Sequence, residues 1–525
     1  MTIGNQILKI TLSVLLGISI LLAITLGILS YFAQEKAEEA LKSSNAKVSS
    51  VRVNLFTRSV VINELVWSYP VDSLGVPHSI KAQHIQIRGV SIYQFLINKK
   101  LHIRKLSVEG ATIQYNKMHR PKDTKTGKKN IQIKGISIGQ ISLKEINTTI
   151  FSDTIPEYSG TISLTVNDIE LADIKKANDV SQYMIESVEG NITRIQIHEQ
   201  GSMYTTSISQ LYISSAEKQV IMDSILLIPI FSKYDFSRKV GKQVDRFSAS
   251  FPKVSVTGLI FDKLKDSLFT ASEVVISSAE LFVYRDKRLP FIKKENTPLP
   301  MALIRTFPFG AAIDTVTITD AKITYEEFPE QGFEPGQVTF DKLNASLDHI
   351  SNREYYSNYQ QSTLVVSSNV MNQGLINAEF SLPYGEPQVY NAKGTITNLE
   401  LSHLNPMLEN LAFISISSGT LNQLTFNFDY NDIVSRGSLV VNYDNLKIVS
   451  MTKEKESTKN EFKSWILNTA LKKDKDKSVD KVRRTGTIYL ERDRKKAIFN
   501  VWVKSLFSGL KSSVLDSSTK KEREN

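Results

Sequence analysis

From Ser49 to Met451 apolar and polar residues alternate with period two in segment after segment, as in VSSVRVNLF, HIQIRGVSI, IQIKGISIGQISL, TISLTVNDIEL, TLNQLTFNFDY and GSLVVNYDNLKIV. In an extended chain successive side chains point to opposite sides. The pattern therefore collects Ile, Val and Leu on one face and Ser, Thr, Lys, Asp and Gln on the other. Asn, Asp and Gly punctuate the runs at roughly 8- to 15-residue intervals, which predicts successive antiparallel strands. Helical periodicity is rare before residue 453. The expectation is a mainly β protein, an elongated antiparallel sheet with one apolar face. Roughly 35 strands stacked about 4.8 Å apart would reach about 170 Å if none folded back.

One strand recurs. LHIRKLSVEGATIQY (Leu101 to Tyr115) and IDTVTITDAKITY (Ile313 to Tyr325) share the register I-x-x-[LV]-[ST]-[VI]-x-x-A-x-I-x-Y. A weaker copy, ASEVVISSAELFVY, ends at Tyr284, and its core ISSAE (Ile276 to Glu280) stands again at Ile213 to Glu217. The register alanines are thus Ala111, Ala216, Ala279 and Ala321. An apolar face must be covered, by a second sheet, by closure into a barrel, or by curling into a groove. Recurring strand units favour a quasi-one-dimensional stack over one closed barrel.

The N-terminus departs from this pattern. ITLSVLLGISILLAITLGILSYF (Ile10 to Phe32) is 23 consecutive uncharged residues, enough for a helix to cross a hydrocarbon core of about 30 Å. It exceeds the roughly 7- to 15-residue apolar region of a cleaved signal, and Tyr31-Phe32-Ala33 is a poor cleavage site. A single-pass N-terminal transmembrane helix is expected, with the β-rich body outside the cytoplasm. The next most apolar run, SILLIPIF (Ser224 to Phe231), is too short to cross and is expected as a buried strand. A length of 525 residues calls for several regions: an anchor (1–33), two β regions (34–255 and 256–452) and a tail (453–525).

The tail carries 20 Lys and Arg against 11 Asp and Glu, nearly all of the chain's net charge of +10. EFKSWILNTALKK places Phe462, Trp465, Ile466 and Ala470 on one helical face, and KSLFSGLKSSVL gives Leu506, Leu510 and Val514 a common stripe. Between them TGTIYLERDRKKAIFNVWV is expected as a strand pair. Trp465 and Trp502 beside lysines, with Leu506 and Leu510, suit short amphipathic helices at a membrane interface. Alternatively, these helices cap the open end of the sheet.

Catalytic chemistry finds little support. There is no Cys, and the seven His include no pair at helical metal-ligand spacing. His84 and His102 could meet only across neighbouring strands. GISIG (Gly135 to Gly139) matches the nucleophile-elbow pattern at Ser137, but strand alternation continues through it with no helix to follow. Glu326 and Glu327 would point to opposite faces of a strand. No catalytic residue, metal, cofactor or enzymatic activity is expected. Basic charge raises nucleic-acid binding, yet no such motif accompanies it. KMHRPKDTKTGKKN (Lys117 to Asn130) reads as a solvated loop, so no nucleic-acid partner is expected.

The anchor followed by KVSSVRVNLFTRSVVINELVWSYP and IKAQHIQIRGVSIYQFLINKKLHIRKLSVEGATIQY resembles the AsmA-like proteins of Gram-negative envelopes. LFVYRDKRLP (Leu281 to Pro290), ITYEEFPEQGFEPGQVTFDKLNASLDHISN (Ile323 to Asn352) and RGSLVVNYDNLKI (Arg436 to Ile448) look like the AsmA-like proteins typical of Bacteroidota. The resemblance implies a sheet curled into a groove, similar to chorein-type lipid transfer proteins. It also implies an inner-membrane anchor, a periplasmic body, membrane phospholipids as partners, and a role in phospholipid transport and outer-membrane homeostasis. In that arrangement Leu106, Val108 and Ile113 in one copy, and Val316, Ile318 and Ile323 in the other, line the groove. The alternatives are that these six fill an ordinary dry core, and that the protein is an anchored scaffold recruiting envelope proteins.

Overall fold

A computed structural model describes residues 46–54, 58–69, 76–118, 133–176, 182–291, 296–352, 359–385, 388–450 and 481–523. The apolar segment 10–32, Trp465 with its EFKSWILNTALKK stretch, and most of the basic loop after Lys117 lie outside the described residues. Among the described residues no helix is long and apolar enough to cross a membrane. The chain is mainly β, with 21 strands among the described residues in one mixed sheet. The expectation of roughly 35 fails because individual strands are long: many run 15 to 19 residues, where about five or six is usual.

Two compact units divide the chain, Met1–Leu226 with Thr257–Asp266, and Leu227–Val256 with Ser267–Asn525. The first contains β1 (Ala46–Lys47), β2 (Ser50–Asn54), β3 (Ser59–Tyr69), β4 (His78–Arg88), helix α1 (Ile92–Asn98), β5 (Lys100–Asn116), β6 (Gly135–Ser152), β7 (Ile155–Leu171), β8 (Tyr183–Ile197), β9 (Tyr204–Ser214) and most of β10 (Gln219–Pro229). The second contains α2 (Lys233–Val240) and nearly all of β11 (Asp245–Thr257); α3 (Phe261–Leu264) returns to the first. The second continues with β12 (Leu268–Ser277), β13 (Glu280–Asp286), α4 (Pro300–Arg305), β14 (Gly310–Phe328), β15 (Gly336–Ser351), β16 (Gln361–Val370) and β17 (Gly374–Pro383). It closes with β18 (Tyr390–Glu400), α5 (Asn405–Ala412), β19 (Ile414–Tyr430), β20 (Val434–Ser450), β21 (Lys481–Glu491) and α6 (Ile498–Arg523). Residues 227–256 belong to the second unit because β11 pairs with β13, Asp245 opposite Arg285.

The sheet is not wholly antiparallel, which corrects the expectation. β5 runs parallel to β6, and β14 parallel to both β12 and β13. Parallel neighbours need a crossover of a dozen or more residues, and residues 117–134 and 287–309 provide it.

The parallel pairs explain the repeated strand. Val274 lies opposite Val316, Ile276 opposite Ile318 and Leu281 opposite Ile323, so two copies stand side by side in matching register. β6 beside β5 keeps the alternation but not the repeated register, with Leu106 opposite Ile141, Val108 opposite Leu143 and Ile113 opposite Thr148. Its Ile146 takes the place of the alanine. In each of these strands the residue before that position is left-handed: Gly110 (φ 62°), Glu145 (φ 56°), Ser278 (φ 51°) and Asp320 (φ 51°). Such a residue slips the pleat by one position and kinks the strand, so Val108 and Ala111, three apart, are both buried. A kinked strand pairs well only with a neighbour kinked at the same level. Across the kink the Ser278 N–H donates to the Thr319 carbonyl at 2.8 Å, and the Lys322 N–H to Ala279 at 2.7 Å.

Three local expectations change. ISSAE at Ile213 is no copy, because Ser215 and Ala216 lie in the turn between β9 and β10. SILLIPIF does form a strand, but only Ile225 and Pro229 are buried; Leu226, Ile228 and Ile230 are exposed, Ile228 at 47%. The second half of the expected C-terminal strand pair is helix: Ala497 precedes α6, a helix of 26 residues that also takes in KSLFSGLKSSVL. Its inward positions, Ile498, Val501, Trp502, Ser505, Leu506, Gly509 and Leu510, follow helical spacing, and this overrides the strand preference of Ile, Val and Trp.

A half-open apolar face ending in an ionic cluster

Within the second unit one cross-strand row can be followed residue by residue. Val274, Val316, Leu347, Leu364, Phe380, Ala392 and Phe428 stand opposite one another on β12 and β14 to β19. A parallel row runs Ile276, Ile318, Ala345, Val366, Ala378, Gly394 and Phe426. Burial along the first row is graded. Val274, Val316, Leu347 and Leu364 are half-buried, whereas Phe380, Ala392 and Phe428 are buried. Full burial of such a side chain contributes about 1.5 to 3 kcal/mol, so the less covered end of the row, where Leu347 and Leu364 still pack against the core, forgoes part of the stabilisation that the covered end has.

The cover at the buried end is α4 and α6. Leu299, Met301, Trp502, Leu506 and Leu510 all pack on this core, with the Trp502 ring 4.3 Å from that of Phe380. Close docking of α6 depends on glycine: a Cβ on Gly486 would lie 1.9 Å from the Gly509 carbonyl oxygen, and one on Gly509 would meet Leu439 and Ile488. The helix also serves the edge strand. The β21 backbone N–H groups of Thr487 and Tyr489 donate to the hydroxyls of Ser512 and Ser508, which occupies donors that an edge strand otherwise leaves free. Trp502, Leu506 and Leu510 thus sit where a cap on the sheet would place them.

The six groove candidates divide. Leu106 and Val108 are 1% and 2% exposed and lie in rows whose neighbours Ile85, Ile87, Ile141 and Leu143 are also buried, leaving no surface for a ligand there. Ile113, Val316, Ile318 and Ile323 are half-buried. Of these, Val316, Ile318 and Ile323 lie on β14, with Ile323 opposite Phe340.

Beyond Ile323 the same face turns polar. The Tyr325 hydroxyl donates to Glu327 at 2.7 Å, and Lys287 Nζ lies 2.6 Å from the other oxygen of Glu327. Arg285, opposite Glu327, makes a bidentate bond to Asp245, Nε to Oδ1 at 2.6 Å and Nη2 to Oδ2 at 2.5 Å. Burial, then the Glu327 charge, push the Tyr325 hydroxyl pKa far up, so it stays a donor. On the opposite face Glu326 pairs with Lys233 at 2.7 Å, and α2 covers Tyr284, which is fully buried. Ser232 caps this helix through Asp235 N, Gly241 ends it in a left-handed turn, and Phe236 is its buried anchor. The Arg288 guanidinium lies 3.6 Å over the Phe328 ring and binds Asp286 through two bonds. Burial works to raise the Asp286 carboxyl, but the Arg288 bonds win and hold it below its ordinary range. Glu326 and Glu327 therefore face opposite ways, as alternation predicts, each with a lysine partner and not with one another.

The remaining sequence candidates lie apart from this face. His84 bonds to Asn63 and His102 to Ser137 (3.3 Å), so the two histidines do not meet. Ser137 is registered to His102 on one side and Glu170 on the other, in mid-sheet. Its backbone is committed to the ladder, with no turn into a helix to supply the free N–H groups an acyl-transfer site needs. Among the described residues no group of three or more His, Asp or Glu is arranged to hold a metal ion. Sequence reasoning missed Lys496, Phe291 and Phe499, which stand at the ionic end and are discussed below; each lies in a linker or at a helix start where periodicity carries no signal. No protein-family model and no curated protein matches the chain.

Proposed function

We propose that the protein is an inner-membrane-anchored, periplasmic lipid-binding protein of the AsmA-like kind, which holds phospholipid acyl chains against the half-open face of β12, β14 and β15 and supports phospholipid transport. The observation that carries this reading is the graded row, apolar along its length and, among the described residues, buried more deeply at the end beneath the helices than at the other. An acyl chain laid along Val316, Ile318 and Ile323 would complete the burial that α6 supplies to Phe380. The sequence contributes the anchor segment and the AsmA-like resemblance.

The test uses the full-length chain, purified in mild detergent and analysed by native mass spectrometry. Retained phospholipid that falls severalfold in Ile318→Asp, in a variant that still unfolds cooperatively, supports the reading. A folded wild-type protein that carries no lipid sinks it.

A second reading, an envelope scaffold, is favoured by α1, where Tyr93, Leu96 and Ile97 are all more than half exposed. Exposed aromatic and aliphatic residues on one short helix suit a protein partner. Cross-linking through Tyr93 that captures one protein repeatedly, from a lipid-free preparation, would favour it.

A further inference from the structure

Among the described residues, the ionic cluster at the end of the half-open face holds more cations than carboxylates. Asp245 answers Arg285 and Glu327 answers Lys287, but Lys496 is held differently. Its Nζ rests 3.8 Å from the centre of the Phe291 ring, a cation–π seat rather than an ion pair. Burial and the nearby charges of Arg285, Lys287 and Lys504 all depress its pKa, with Asp493 alone opposing them. The cluster thus gathers cations in excess of the carboxylates that face them.

Its place along the face matters as much as its sign. Three residues after Lys496, Phe499 meets Phe340 edge-on at 6.2 Å, and Phe340 is the residue opposite Ile323. The excess charge therefore stands at the end of the stripe formed by Val316, Ile318 and Ile323. Phe291 and Phe499, both more than a third exposed, flank it. A half-buried apolar stripe that runs into uncompensated positive charge is complementary to an amphiphile with an anionic head.

Resting on the lipid-binding reading, we propose that this face selects anionic phospholipid, with the lipid phosphate received by Lys496, Arg285 and Lys287 and an acyl chain along Val316, Ile318 and Ile323. A phosphate there would add counter-charge to Lys496, which makes no ion pair among the described residues, without breaking the Arg285–Asp245 or Lys287–Glu327 pairs.

The experiment equilibrates full-length protein with vesicles of equal phosphatidylglycerol and phosphatidylcholine, re-isolates it and quantifies bound lipid by mass spectrometry. Wild type should be enriched in phosphatidylglycerol. Lys496→Glu should lower the ratio of the two lipids about fivefold or more, the scale of one basic residue at an anionic surface, with total lipid nearly unchanged; Lys496→Gln should fall between. Ile318→Asp should lose both lipids together. Bound lipid without headgroup preference, or a preference that survives Lys496→Glu, overturns the headgroup assignment while leaving the lipid-binding reading standing. Wild type with no lipid fails both. Inorganic phosphate that abolishes the preference at millimolar concentration would mark a free-anion site and also overturn the assignment.

Discussion

β5 and β14 carry the same pattern and the same kink, yet they end in different environments. In β5 Leu106 and Val108 are sealed among Ile85, Ile87, Ile141 and Leu143. In β14 Val316 and Ile318, at the matching positions, are half-buried. Both strands have a parallel neighbour kinked at the same level, so neither the parallel pairing nor the kink accounts for the difference. A repeated amphipathic strand specifies which side is apolar; what covers that side is settled by other parts of the chain. A closed copy contributes to stability, and a half-open one offers surface for a ligand.

The contrast is sharpest when a charge is placed at matching positions. Val108→Asp should cost about 4 kcal/mol or more and often prevent folding, because its carboxylate has no water or partner. Ile318→Asp should cost about 1 to 2 kcal/mol, since its head can reach solvent. Urea denaturation of both variants measures the gap, and equal losses would erase the distinction between the two faces.

Removing the cap should make the covered end of the row resemble the half-open end. Gly486→Val forces α6 off β21, given the 1.9 Å approach to the Gly509 carbonyl, at a cost of about 3 kcal/mol. Trp502 emission should shift to the red and lipid retention should rise. An unchanged Trp502 environment would show that the helix docks without that close contact.

The kinks can be compared next. Gly110 has φ 62°, and a Cβ there would lie 2.3 Å from the Gln83 side-chain oxygen. Gly110→Ala should therefore cost about 1 to 2 kcal/mol. Asp320→Gly, which relieves a left-handed non-glycine residue, should gain about 0.5 to 1 kcal/mol. Thermal melts check both signs.

The smallest effect concerns pH. The Asp286 carboxyl is depressed by Arg288. The stability it contributes is complete above its ordinary pKa and is lost as pH falls through the lower folded value, below about pH 4. Asp286→Asn should flatten that acid limb, as followed by circular dichroism. A limb of unchanged steepness would remove Asp286 from the account.

Much of the architecture was legible in the sequence. Period-two alternation marked the strands, and the recurrence of LSVEGATI as VTITDAKI marked the repeat. The kink was legible as well, in the two-residue gap between Val108 and Ala111 and between Ile318 and Ala321, where alternation loses phase. The parallel step was less so, since it depends on where a crossover lands its strand. Half of the groove candidates, Val316, Ile318 and Ile323, lie on the half-open face. The ionic cluster could not be found, because Asp245, Arg285, Glu327 and Lys496 are far apart in the chain and carry no mutual periodicity.

Local sequence determined what the chain can determine by short-range rules: which residues are extended, which side of each strand is apolar, and where a strand kinks. Those features follow from backbone geometry and from the spacing of neighbours a few residues apart. Only the tertiary structure decided which stretch of apolar face is covered, by seating Trp502 on Phe380 through a glycine contact between β21 and α6, and which stretch is left beside Lys496. Burial is a property of the partner as much as of the residue, and here the partner comes from a helix long after the strands it covers.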